Sequence, residues 1–171
     1  MGTRNLTVVI KNNEPVVAQY GQWDGYPEGQ GITALNAIRN NLNEIIANLP
    51  LCKFKTEDEL QMLTKPYVNE DGMMSLDSSN LLEQEIPSIS RNTGANILNV
   101  IAEATSEIPL WNDYDFKNDE LFCEGYYELN LDTNEFISKW SGKTVRFSLN
   151  TIPSDGTYLE MWQYALDNVT V

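Results

Sequence analysis

The stretch Tyr20 to Gly31, YGQWDGYPEGQG, gathers residue types that could hold a ligand. Tyr20, Trp23 and Tyr26 offer flat apolar faces, and Gln22, Asp24, Glu28 and Gln30 offer hydrogen-bonding groups beside them. Aromatic walls with a few polar groups are the usual lining of a small-molecule pocket. Glycines at positions 21, 25, 29 and 31 let the backbone approach another surface closely. The competing reading is a complicated turn whose aromatics plug the edge of the core, where their packing value is large. Gly29-x-Gly31-x-x-Ala34, opening a helix, imitates a dinucleotide fingerprint, but the preceding strand ends too early and no strand–helix–strand unit follows.

A second candidate surface comes from charge. The chain has 171 residues, with 25 Asp plus Glu against 11 Lys plus Arg, a net charge of −14. The densest acidic stretch runs from Glu107 to Glu135 and includes Glu120, Glu124 and Glu128, with Lys117 as its one cation. One reading is a solvated face that keeps the protein soluble. The other is a negative surface that fills a basic groove on a partner protein, as nucleic-acid mimics do, with fast and salt-sensitive association. Arg91 is one of few cations in an acidic chain. It is expected to pair with a carboxylate, or else to anchor an anionic, nucleotide-like ligand.

Composition removes several chemistries. There is no His, so a Ser–His–Asp triad, a Cys–His dyad and His-ligated zinc are impossible within this chain. Direct nucleic-acid binding is opposed by the negative charge. Only Cys52 and Cys123 are present; Cys123 sits in an apolar, strand-like run and reads as a buried thiol. Asp113, Asp115 and Glu124 fall at positions 1, 3 and 12 of a calcium loop, but Lys117 occupies a ligand position and Asn118 the glycine position. A carboxylate-held metal would need Asp24, Glu28 and Asp113 to meet in space. An N-terminal nucleophile would need two cleavages to expose Thr3. These enzymatic readings, a metal-dependent hydrolase included, rank below binding, and neither a catalytic residue nor a cofactor or metal is assigned. No apolar leader and no run near the ~20 residues of a membrane span occurs, so a cytoplasmic location and no membrane partner are expected.

The elements that must position these groups follow from periodicity. Asn5–Lys11 and Val16–Tyr20 are β-rich and flank the turn Asn12-Asn13-Glu14-Pro15, which predicts a hairpin. The glycine-rich loop is expected to be neither helix nor central strand. Leu35, Ile38, Leu42, Ile45, Ile46 and Leu49 mark one face of a helix that Pro50 stops. Thr56-Glu57-Asp58-Glu59 is a capping box for a short helix to about Leu63. Residues 64–90 show no period and read as a long irregular, mobile excursion. A further helix starts near Gly94, with Ser90 or Asn92 available as its cap. Leu121–Leu131 alternates and reads as a strand, followed by strands at Phe136–Trp140 and Lys143–Leu149. Pro153-Ser154-Asp155-Gly156 reads as a turn, and the tail from Tyr158 is split between a helix and a terminal strand. The expectation is a single α+β domain over 1–171. Its mainly antiparallel sheet combines an N-terminal hairpin with C-terminal strands, packed by two or three central helices.

Four segments carry a resemblance: GTRNLT at 2–7, AQYGQWDGYPEGQG at 18–31, SRNTGANILNVI at 90–101 and LFCEGYYELNLDTNEF at 121–136. Together they resemble a family of small proteins found in bacteriophages, their bacterial hosts and some fungi. Family members usually carry Arg-Asp before the central helix where this chain has Arg91-Asn92, and Trp in the strand where it has Gly125-Tyr126. The family brings context rather than chemistry. It implies a phage accessory protein that binds a host protein with a basic surface, such as a nuclease effector of antiviral defence, and inhibits it. The alternative is a sponge for a nucleotide-like signal. The candidate contact residues are Arg4, Tyr20, Gln22, Trp23, Asp24, Tyr26, Glu28, Gln30, Arg91, Glu120, Glu124 and Glu128.

Overall fold

The computed structural model describes residues 2–168. Strands β1 (Asn5–Lys11) and β2 (Glu14–Gly21) form the expected hairpin. Asn12 and Asn13 both take positive φ, 56° and 62°, the mirror-image turn that matches strand twist. β1 is buried on both faces, which explains why NLTVVIK is nearly continuous in apolar and β-branched residues.

Helix α1 (Ile32–Asn48) follows, with a non-helical backbone at Asn41. Its Ala34, Leu35, Ala37, Ile38 and Ile45 are buried, whereas Ile46 faces solvent, contrary to the predicted stripe. A short turn leads to β3 (Cys52–Phe54), which pairs in parallel with β4 (Ile108–Leu110). α2 (Glu57–Thr64) begins at Thr56 with both hydrogen bonds of the capping box in place. α4 (Ile97–Glu103) buries Ile97, Leu98 and Ile101, and Asn48 Nδ2 donates to the carbonyls of Ile101, Ala102 and Ala104 at its end. The Ile101 carbonyl also accepts from Ala104 N–H, so the two amide hydrogens chiefly serve carbonyls that the helix end leaves without a partner.

The main sheet is completed by β5 (Gly125–Asn130), β6 (Glu135–Trp140) and β7 (Lys143–Ser148), in the order β2-β1-β5-β6-β7. Three of its four pairings are antiparallel and β1–β5 is parallel. The protein is therefore an α+β fold with a mainly antiparallel sheet, as the element pattern predicts. Helices α1, α4 and α5 (Asp155–Asp167) cover one sheet face, where Val9, Val17, Tyr127, Leu129, Phe136 and Phe147 point. The opposite face of β1 presents Leu6, Val8 and Ile10, covered by Tyr114, Phe116, Cys123 and Tyr126. Among the described residues no helix is long and apolar enough to cross a membrane.

Four local expectations are corrected. Residues 64–90 are not irregular: they contain a one-turn helix at Lys65–Tyr67 and α3 (Leu76–Glu85), capped by Ser75. With α2 they build a satellite core of Leu60, Tyr67, Leu82 and Ile89. Leu82 is the one fully buried residue of α3, so no apolar period marks that helix. Pro153–Gly156 is not a free turn, because Ser154 caps α5 and Asp155 opens it. Pro27–Gly31 forms a single π-helical turn running straight into α1. The strand expected at 121–131 spans only Gly125–Asn130, and residues 119–124 form a turn with Leu121 77% exposed. The terminal strand suggested for the tail lies outside the described residues.

Candidate functional site

The predicted contact residues separate into three places. The first is the turn 119–124 and the cleft beside it. Asp119 Oδ1 accepts from the Phe122 N–H at 3.1 Å, and the Asp119 carbonyl accepts from Cys123 N–H at 2.8 Å, which folds this turn outward. The result displays Leu121 and Phe122, 77% and 45% exposed, between the carboxylates of Asp119, Glu120 and Glu124. Arg4 braces the turn from behind. Its guanidinium lies over the Phe122 ring at 4.9 Å, its backbone N–H donates to Glu124 Oε2 at 3.0 Å, and its carbonyl accepts from Glu124 and Gly125 N–H. Leu121 and Phe122 are thus exposed beside three carboxylates, with the Arg4 guanidinium against the Phe122 ring.

Glu120, Glu124 and Glu128 meet along an open cleft of about 760 Å³. Lys117, Lys139 and Lys143 line the same cleft, and none of the three is ion-paired among the described residues. Tyr126 donates to Glu128 Oε1 and lies beneath Lys139, and its hydroxyl is pushed far above its usual range by burial and by that carboxylate. The cleft is charge-balanced rather than acidic. Much of the rest of the acidic stretch is committed locally. Glu107 pairs with Lys55 at 2.5 Å, Glu135 with Arg146 at 3.6 Å, and the Asp132 carboxylate accepts from the N–H groups of Asn12 and Asn13. Asp119, Glu120 and Glu124 are grouped on the exposed turn, with Glu120 and Glu124 lining the cleft that the lysines share.

The second place is the glycine-aromatic loop, and most of it is occupied by the fold. Tyr127 donates its hydroxyl to the Gly25 carbonyl at 2.6 Å, and Gly25 N–H donates to Thr3 O. Gln30 bridges the Trp23 carbonyl and the Ala95 N–H. Trp23 Nε1 donates to Asn92 Oδ1 at 3.1 Å, and Tyr26 donates to Asp24 while its ring meets the edge of Trp140. Trp23 and Tyr26 remain 48% and 37% exposed, and Glu28 points to solvent. The loop is a knot tying the N-terminal segment, β5 and α1 together. Asp24, Glu28 and Asp113 do not form a metal site: among the described residues no group of three such side chains is placed to hold an ion.

The third place is around Arg91. Its guanidinium donates to Gln22 Oε1 at 2.6 Å and to the Tyr20 hydroxyl at 3.4 Å, and lies 5.5 Å from the centre of the Tyr20 ring. The carboxylate partner expected from the sequence is absent among the described residues. Ser90 Oγ accepts from Asn92 N–H and closes a local turn, so it does not cap α4.

Both thiols are half-buried, and burial pushes each up to about 11. Cys123 lies in the turn, not in the strand expected for it. The thiolate is the nucleophile, so native Cys52 and Cys123 should react slowly with iodoacetamide at neutral pH and rapidly once denatured, read by mass spectrometry. Fast native labelling of either would contradict that placement. Comparison with protein-family models, curated proteins and solved structures gives no match.

Proposed function

We propose that the protein acts by binding, docking its acidic, apolar-tipped turn at 119–124 into a basic surface of a host protein. The observation that carries this reading is the exposure of Leu121 and Phe122 between Asp119, Glu120 and Glu124. Apolar anchors supply most of an interface's free energy, and a charged rim sets encounter rate and partner choice. The partner is a protein and not nucleic acid, because phosphate and the tip carry the same sign. The resemblance to phage proteins favours a partner among antiviral defence components, such as a nuclease effector, which the bound protein would inhibit by filling its basic groove.

Affinity capture of the tagged protein from a bacterial lysate tests this at low and high salt. A basic protein retained at low salt and released at high salt is the expected result. Retention of proteins indifferent to salt would count against an electrostatically steered interface.

A further inference from the structure

The main sheet ends on β2 at one side and on β7 at the other. The β2 edge is taken up: the Ala18 carbonyl accepts from Asp113 N–H, and a parallel bridge joins Ala18 to Asn112. The β7 edge is open. Leu149 N–H donates to the Asn134 carbonyl, so in the alternating antiparallel ladder the odd-numbered residues of β7 bond towards β6. The N–H and C=O groups of Thr144 and Arg146 therefore point outward, and among the described residues nothing bonds to them. A row of such groups is a template for another strand.

A groove of about 400 Å³ runs along this edge. Its other wall is α5, which contributes Thr157, Met161, Tyr164 and Ala165, with Glu160 beside them. These positions follow the spacing of one helix face. They form a second stripe on α5, because Tyr158 and Trp162 are the pair buried against the sheet. Met161 and Tyr164 are 40% and 73% exposed. An unpaired strand edge beside an apolar helix stripe is the geometry of strand addition.

The strand is self-complementary in one register. Antiparallel pairing of β7 with itself about Val145 sets Thr144 opposite the partner's Arg146, a pair that exchanges both main-chain hydrogen bonds, and Val145 opposite the partner's Val145. No like charges then stand opposite each other. Pairing centred on Arg146 would oppose two guanidinium groups and is disfavoured. Arg146 keeps its ion pair with Glu135, on the sheet face away from α5.

The helix spacing fits the same arrangement. α5 lies over β6 and β7, where the Tyr158 hydroxyl meets Ser138 and its ring meets Phe147. Two-fold pairing of β7 would set the two α5 axes two strand spacings apart, about 10 Å. That is the distance at which helices pack. We infer that the protein forms a two-fold dimer in which β7 pairs with β7 into one continuous sheet and the Met161, Tyr164 and Ala165 stripes pack on each other. This contact uses none of residues 119–124, so it stands or falls separately from the docking reading. Two copies of net charge −14 repel at a distance, and salt screens that repulsion, so the dimer tightens as salt rises. The docking reading predicts the opposite salt response for its partner.

Sedimentation equilibrium of the full chain, from micromolar to near-millimolar concentration at low and high salt, tests this. A reversible monomer–dimer equilibrium, stronger at high salt, is expected. Thr144→Pro removes an outward N–H at a sheet edge, where proline is tolerated. Tyr164→Glu sets a charge in the helix stripe. Each should weaken dimerisation by at least roughly tenfold, and circular dichroism should show both folded, since both side chains are exposed. A monomer at every concentration and salt, a dimer that salt weakens, or a dimer that either folded variant leaves at full strength would each overturn the inference. The unmodified protein's concentration and salt dependence decides the matter even if a variant misfolds.

Discussion

Gly31→Ala and Gly125→Ala should each unfold the protein or cost upward of ~3 kcal/mol, at the far end of single-substitution effects. A Cβ at position 31 would stand 2.4 Å from the Tyr158 hydroxyl oxygen and 3.0 Å from the Tyr127 ring. Neither tyrosine is free to retreat. The Tyr158 hydroxyl is 2.7 Å from Ser138 Oγ, which also accepts from Trp162 Nε1, and the Tyr127 hydroxyl is bonded to Gly25. A Cβ at position 125 would meet the Gly25 carbonyl oxygen at 1.9 Å, a backbone atom fixed from the other side by Tyr127. The control is Gly156→Ala, in the first turn of α5, where the added methyl meets nothing within 4 Å. It should be neutral or stabilising by about 0.5–1 kcal/mol, through the helix preference of alanine. Urea denaturation curves of the three variants check this. Equal midpoints for Gly31→Ala and Gly156→Ala would show that the loop is not the knot described. The glycine-aromatic signature is thus explained largely by folding.

The second large effect falls on binding. The double variant Leu121→Ser, Phe122→Ser should fold normally, because both side chains are exposed, yet lose its partner by on the order of 100-fold or more. Glu120→Gln with Glu124→Gln should act differently. It removes steering charge, so association should slow and its salt dependence flatten, while dissociation of a formed complex changes less. Arg4 presses on the Phe122 ring and its N–H holds Glu124, so it acts by positioning the anchor. Circular dichroism and melting temperature separate these effects from misfolding.

The parts of this structure visible in the sequence are those with strong local chemistry. The Asn12-Asn13 hairpin, the Thr56–Glu59 capping box, the apolar face of α1 and the strand pairs at the C-terminus all declare themselves through turn residues, caps or periods. What was hidden depended on distant partners. α3 buries a single leucine fully, so its helix rests on Ser75 capping and on Tyr67 and Ile89 across the satellite core. The alternation at Leu121–Leu131 suggested a continuous strand, but Asp119 hydrogen bonds pull 119–124 away from the sheet and turn Leu121 outward. Among candidate residues, Glu120, Glu124 and Glu128 were legible as charge, but not the three lysines that face them. Met161 and Tyr164 escaped notice as a contact surface because the tail reads equally as helix or strand. Only the fold sets them along the open edge of β7.

The most direct test of the docking account is parallel capture from one bacterial lysate with the unmodified protein and with the Leu121→Ser, Phe122→Ser variant, each at low and high salt. The account predicts a basic protein on the unmodified bait at low salt, lost at high salt, and missing from the variant in both conditions. Recovery of the same partner by the variant would contradict it.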